Sequence, residues 1–173
     1  MIKINQQFQF RKASLEDHEL IWKIIQQAIK RRKDEGSKQW QDGYPNRNSI
    51  ENDIKNEYGY VLESESQIVG YAAVMMDIEP TYKIIEGSWL SDQKYIVIHR
   101  VAVAEGNIGL GLATKIFQEI EKIAISNDIY SIKVDTNFDN LPLLKILNKL
   151  EYTYCGEIDV RGSARKAFEK LMK

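Results

Sequence analysis

Gly109 and Gly111, in the run Gly109-Leu110-Gly111-Leu112-Ala113-Thr114, stand between a segment dense in Ile and Val and one whose apolar residues recur at helical spacing. Glycines at such a junction let the backbone approach a ligand closely, and the N–H groups that open a helix can take an anion. A pyrophosphate is the natural guest, although glycines there can also do no more than make the turn. A Walker A loop needs Lys directly after its final glycine, and here Leu112 follows Gly111, so that reading fails. A dinucleotide fingerprint would use Gly109 and Gly111, with Asp135 at the end of the next strand accepting from a ribose. Against it, Thr114 holds the third glycine position, and five residues separate Val103 from Gly109 where that fold turns tightly.

Residues 95–134 carry the loop in a strand, glycine loop, helix, strand order. Tyr95–Val103 is the most strand-like segment, Leu112, Ile116, Ile120 and Ile123 mark the helix, and Ile129–Val134 follows as a strand. Upstream, Phe8 and Phe10 mark a first strand, and Ser14 with Asp17 forms a capping box. The helix it opens has a stripe of Leu20, Ile21, Ile24, Ile25, Ala28 and Ile29, and its end, Lys30-Arg31-Arg32-Lys33, reads as a solvated terminus matched to the helix dipole. Residues 34–46 read as a loop with exposed aromatics, Trp40 and Tyr44, before a short polar helix around 49–56. Tyr58–Leu62 and Ile68–Met76 predict a hairpin across Glu65, Ser66 and Gln67, and 77–93 is a connection long enough to be functional. Asn140 and Pro142 open a further helix to about Leu150, after which Tyr152–Ile158 and Ala164–Leu171 pair around Arg161, Gly162 and Ser163. No linker or repeat divides the chain, which reads as a single domain over 1–173.

Composition narrows the function. Against 24 Lys and Arg stand 25 Asp and Glu, a net charge of −1 with no long run of one sign, which argues against a binder of nucleic-acid backbone. Apolar residues make up 43% and prolines number three, so the chain should fold, and no apolar run approaches the roughly 18 residues of a membrane span. The polar start, Met1–Phe10, and the lone Cys155 lead us to expect a cytoplasmic, reducing setting.

Val101-Ala102-Val103, a five-residue gap and then Gly109-Leu110-Gly111-Leu112-Ala113 resemble the acyl-CoA loop of the GNAT superfamily of N-acetyltransferases. That pattern, a basic or Gln residue, two positions, Gly, one position, then Gly or Ala, falls on Ile108, Gly111 and Ala113. The element order is similar over roughly residues 8–172, and residues 135–156 resemble the region where an Asn commonly contacts pantetheine, a place held by Asn140. The resemblance implies an α/β fold of the GNAT-like acyl-CoA N-acyltransferase type, a mixed, mainly antiparallel central sheet flanked by helices. It further implies acetyl-CoA as cosubstrate, no metal, and cosubstrate contacts from Val101, Ala102, Val103, Ile108, Gly109, Leu110, Gly111, Leu112, Ala113, Thr114 and Asn140. This chain departs from the pattern at three places. Ile108 replaces the basic or Gln residue, Leu147 stands where many members have a Tyr that protonates the departing thiolate, and Glu151 replaces a common Gly.

The reaction so implied moves acetyl from a thioester to the primary amine of a small or amino-acid-like acceptor, by direct attack in a ternary complex. The amine must first lose a proton. His99 is the candidate base: by two-residue alternation it shares a face with Val101 and Val103, and an imidazole titrates in the useful range. Arylalkylamine acetyltransferases are similar here, with a histidine at this strand position working through water; a hydrogen-bonded core histidine is the competing reading. Main-chain N–H groups around Val101–Val103 would face the developing oxyanion. Cys155 reads as a buried hydrophobe before an acyl acceptor, and Tyr152 and Tyr154 as core residues before a substitute acid. Candidates for the acceptor pocket are Trp40 and Tyr44 from one loop and Asp77, Glu79, Glu86 and Trp89 from the other, because aromatic faces and carboxylates attract an alkylammonium. The expected partner is a small-molecule amine, with no nucleic acid or membrane, and a homodimer is left open. An NAD-type dinucleotide-binding enzyme, and an acyl-CoA sensor without catalysis suggested by Ile108 and Leu147, are the alternatives.

Overall fold

The structure, a computed structural model, describes residues 6–76 and 79–173; Asp77, one acceptor candidate, lies outside the described residues. Among the described residues there are eight strands: β1 Phe8–Lys12, β2 Gly59–Ser64, β3 Gln67–Met75, β4 Glu86–Gly87, β5 Ile96–Val103, β6 Ser131–Thr136, β7 Thr153–Val160 and β8 Ser163–Leu171. Four helices accompany them: α1 His18–Asp34, α2 Arg47–Lys55, α3 Leu112–Ser126 and α4 Leu141–Lys149. The sheet is mixed and mainly antiparallel, as expected: β5 and β6 run parallel, while β1–β2, β2–β3, β4–β7, β6–β8 and β7–β8 are antiparallel. A doubly wound dinucleotide fold needs a mostly parallel sheet, so that alternative falls. Two compact units share the chain, one of residues up to Ala73 with Arg100–Ile116, the other of Val74–His99 with Phe117–Lys173.

In the first unit the strand order is β1-β2-β3-β5. The capping box forms: Asp17 accepts from the Ser14 amide at 2.8 Å and from Arg11 at 2.8 Å, and the Arg11 bond first of all holds its carboxyl below the ordinary range. A short 3-10 turn, Leu15–Asp17, leads into α1. Ile21, Ile24, Ile25 and Ala28 of α1 pack with Ile50, Ile54, Val61, Tyr71 and Ala102, each buried isoleucine contributing about 1.5–3 kcal/mol. Leu20, expected in that stripe, is 53% exposed. At about 100° per residue it falls on the stripe's edge, a quarter turn from the centre set by the other four. The cationic end of α1 is not simply solvated either. Arg32 is buried, donating to Gln39 at 3.2 Å and Ser37 at 2.9 Å and pairing with Glu35, so it folds the following loop back onto the helix. Trp40 and Tyr44 are therefore half-buried rather than exposed, and Trp40 packs against the first core. The β2–β3 hairpin turns on Glu65 and Ser66 alone, both at positive φ, the two-residue turn that suits a twisted ribbon.

The second unit's strand order is β5-β6-β8-β7-β4. Tyr82, Val97, Ile158 and Ala167 form its core, with Met75, Trp89 and Tyr95 packed against them. The long connection is ordered by a 3-10 turn at Pro80–Lys83, by the Trp89 indole donating to the Tyr82 carbonyl at 2.9 Å, and by Glu169, which accepts from the Leu90 amide at 2.7 Å. Asn140 caps α4 by accepting from the Leu143 amide at 3.4 Å. That helix ends at Glu151, whose φ of +64° is a conformation that costs an L residue about 1–2 kcal/mol. Glu151→Gly should therefore raise the unfolding free energy by about 1 kcal/mol in urea titration, and a loss of stability would show that the Glu151 side chain holds the turn. Among the described residues no helix is long and apolar enough to cross a membrane.

Candidate active site

In the first unit the glycine loop hangs from the end of β5. Arg100 interrupts that strand with a φ of +53°. Period-two counting does not carry across such a residue, so alternation by itself does not place His99 on one face with Val101 and Val103. The side chain responsible is anchored. Arg100 donates to Asp53 through Nε at 2.8 Å and Nη2 at 2.5 Å and bonds the Tyr44 hydroxyl, while Tyr71 donates to the same carboxylate at 2.6 Å. Burial would lower the Arg100 pKa, but the Asp53 charge and hydrogen bonds raise it well above the ordinary value.

Beyond Val103 three bonds fix the chain. The Ala104 amide donates to the Val69 carbonyl at 2.9 Å, the Glu105 amide to Gln27 at 2.9 Å, and Arg31 to the Glu105 carboxylate at 2.5 Å. The five-residue gap becomes a 3-10 turn, Glu105–Asn107. Gly109 and Gly111 adopt φ values of +82° and +75°, and a Cβ on either would meet nothing within 4 Å. The first helical bond of α3 runs from the Lys115 amide to the Gly111 carbonyl at 3.1 Å, which leaves the earlier amides without intrahelical partners. Among the described residues nothing accepts from the amides of residues 109–114, so consecutive N–H donors gather at the positive end of a helix, over open space. Ile108, 47% exposed, adds no charge.

In the second unit His99 is paired. Its Nε2 lies 3.0 Å from Glu79 Oε2. Glu79 is itself fixed: it accepts from the Thr81 amide at 3.3 Å and hydroxyl at 2.9 Å, and its own amide donates to the Tyr95 hydroxyl at 3.2 Å. The His99 hydrogen bond, outweighing partial burial and aided by Thr81, holds the Glu79 carboxyl down to about 2. An ionised carboxylate only accepts, so Nε2 carries the proton in this pair and Nδ1 keeps its lone pair in a neutral ring. Tyr82, its ring centroid 6.3 Å from that of His99, donates to Asp135 at 2.6 Å, and burial first of all raises its phenol well above the ordinary value. Asp135, a ribose acceptor in the dinucleotide reading, is thus taken by a tyrosine.

The acetyltransferase (GNAT) family model matches residues 19–152. The chain belongs to the GNAT family of acetyltransferases. A GNAT-family acetyltransferase of known structure from Streptococcus agalactiae is 36% identical, with 96% of each chain covered and a TM-score of 0.88. Two others share the fold: one from Listeria monocytogenes at 20% identity and TM-score 0.78, covering 97% of this chain and 100% of that one, and an N-acetyltransferase from Staphylococcus aureus at 18% and 0.70, covering 96% and 99%. Among curated proteins none matches. Membership makes this chain an enzyme, an acetyltransferase that uses acetyl-CoA and acetylates an amine.

The remaining candidates of this GNAT acetyltransferase divide between the units. Leu112, Ala113 and Thr114 form the first turn of α3, and Tyr44 serves Arg100. Asn140, besides capping α4, donates to the Thr136 hydroxyl at 3.1 Å. Glu86 is exposed in β4, and Trp89 lines a pocket with Tyr82 and Tyr95. Cys155 is buried, and burial raises its thiol pKa, which disfavours the thiolate a nucleophile needs. Tyr152 is a core residue whose buried hydroxyl has no hydrogen-bond partner among the described residues, whereas Tyr154, expected in the core, is 53% exposed and meets Phe168 edge-on at 5.6 Å. The bulge between Tyr154 and Gly156 accounts for the broken alternation. Leu147 is wholly buried. Reading the sequence missed Arg100, Tyr82 and Lys133. Only Lys133, a charge inside the apolar run Ile132-Lys133-Val134, left a visible signal.

Proposed function

We propose that this enzyme transfers acetyl from acetyl-CoA to the primary amine of a small, amino-acid-like acceptor, by direct attack in a ternary complex. The observation that carries the reading is the row of amides at residues 109–114, which find no acceptor among the described residues and front open space at a helix start. A diphosphate fits such a row: two negative groups need several donors, and the two glycines keep side chains out of the approach. Val101–Val103 and Ile108–Thr114, with Asn140, are the residues proposed to hold the cosubstrate, which supplies an acetyl group already activated as a thioester. Because Ile108 brings no charge, its affinity rests on main-chain donors. His99 takes the proton of the acceptor's ammonium at Nδ1, directly or through a water, and Glu79 orients the ring and stabilises the imidazolium. Trp40, Tyr44 and Trp89 are proposed acceptor contacts; Glu79 serves His99 instead.

Thermal unfolding tests the first half. Acetyl-CoA at a hundredfold excess over Kd should stabilise the chain by about 2.7 kcal/mol, and NAD should not. No shift with acetyl-CoA would remove the reading. Thiol release from acetyl-CoA across a panel of small and peptide amines tests the second half, and release with none of the small, amino-acid-like amines would remove that acceptor class.

A further inference from the structure

Lys133 stands inside β6 with 3% of its surface exposed. A buried ammonium is unfavourable unless it is paired, and among the described residues no carboxylate comes within 4.0 Å of this one. It has the Ser91 carbonyl at 3.5 Å, and its Nζ stands 4.1 Å from the centre of the Tyr95 ring and 4.5 Å from that of Trp89. Glu169, whose charge acts on it, is already saturated. One carboxylate oxygen takes the amides of Leu90 and Ser91, the other the hydroxyls of Ser91 and Ser131. An ammonium has three N–H donors, so Lys133 has donor capacity to spare. Burial accordingly pulls its pKa below the ordinary lysine value.

The same ammonium belongs to the wall of a pocket of about 830 Å³, a size that suits a small organic molecule. Trp89, Tyr95 and Tyr82 give it flat apolar walls, and its ionisable lining is Lys83, Lys94 and Lys133 against Asp92 alone, an excess of two positive charges. We propose that this pocket binds the carboxylate of a small, flat organic acid, with Lys133 as the charge partner and Trp89 and Tyr95 as walls. The carboxylate could belong to the amine acceptor or to a separate acid. The first source rests on the acetyl-transfer reading. In the β5–β6 register Lys133 pairs with Val97, and His99 lies two residues farther along β5, so such an acceptor would separate amine from carboxylate by roughly 7 Å or more.

Calorimetric titration of the whole chain with phenylacetate and with phenylacetamide, its uncharged counterpart, tests the site. Phenylacetate should bind at least about tenfold more tightly. Lys133→Met should abolish that preference while retaining the acetyl-CoA-induced thermal shift. Equal binding of the acid and the amide, or a preference that survives in Lys133→Met, would overturn the proposal. Should Lys133→Met fail to fold, quenching of tryptophan fluorescence by phenylacetate in the wild type but not in Trp89→Phe places the acid in the pocket, and equal quenching in both removes it. With an amine that the enzyme turns over, competition by phenylacetate against that amine marks the acceptor's own carboxylate, and non-competitive behaviour marks a separate acid; either retains the site. Binding is read without catalysis, so a chain that fails to transfer acetyl can still pass this test, and the reverse.

Discussion

His99→Gln should lower turnover by about a hundredfold while acetyl-CoA still shifts the melting temperature as it does in the wild type. Glutamine can keep a hydrogen bond to Glu79 but cannot accept a proton near neutrality, so the loss isolates the proton transfer from the packing. The pH profile carries the stronger discrimination. An imidazole accepts a proton only when neutral, so the rate should rise with pH along an acid limb. Glu79 cannot produce that limb, because its carboxyl is held down to about 2 and stays ionised throughout the assay range. In His99→Gln the limb should vanish. In Glu79→Gln it should persist, and turnover should fall by about tenfold because the ring has lost the carboxylate that orients it. Equal turnover of wild type and His99→Gln across pH would leave His99 as a structural residue.

Stability has to be kept out of that comparison, and its sign is known. A carboxyl whose folded pKa is depressed contributes stability in full above its unfolded value of about 4.3, and loses it as the pH falls towards the folded value. The Glu79 contribution should therefore disappear between about pH 4.3 and 2, a window absent from Glu79→Gln. Kinetics above about pH 5 are free of it.

The elements around the glycine loop were legible because each obeys one period. The helical spacing of Leu112, Ile116 and Ile120 and the density of Ile and Val in β5 and β6 leave little choice of local structure. What stayed hidden are places where one side chain overrides the period. Arg100 breaks β5 because Asp53, from a distant helix, anchors its guanidinium, and no local pattern encodes a partner 47 residues away. Arg32 belongs by sequence to a cationic run, yet Gln39 and Ser37 draw it inward. The site was divided in the same way. The loop announces itself by its glycines, whereas the Glu79–His99 pair joins two residues 20 apart across an irregular connection, where neither periodicity nor spacing applies.

Paired substitutions at Gly111 and Ile108 should move acetyl-CoA affinity in opposite directions. Gly111→Val puts a branched side chain into the space in front of the free amides and forces a φ of +75° on a residue that resists it. Losing even one charge-assisted bond to the diphosphate corresponds to about 1.5–3 kcal/mol, so Kd should rise by about ten- to a hundredfold. That result alone would also follow from a damaged loop. Ile108→Arg removes the ambiguity, because a gain of affinity cannot come from damage. The side chain is 47% exposed, so a guanidinium there is accommodated without displacing the core. It would restore the charge that the resemblance leads one to expect at this position and should lower Kd by about tenfold at low salt, less at 1 M, where the screening length is about 3 Å. Calorimetry at the two ionic strengths measures both effects. If Gly111→Val weakens binding but Ile108→Arg leaves it unchanged at either salt concentration, the diphosphate does not lie over these amides and the cosubstrate must be held elsewhere.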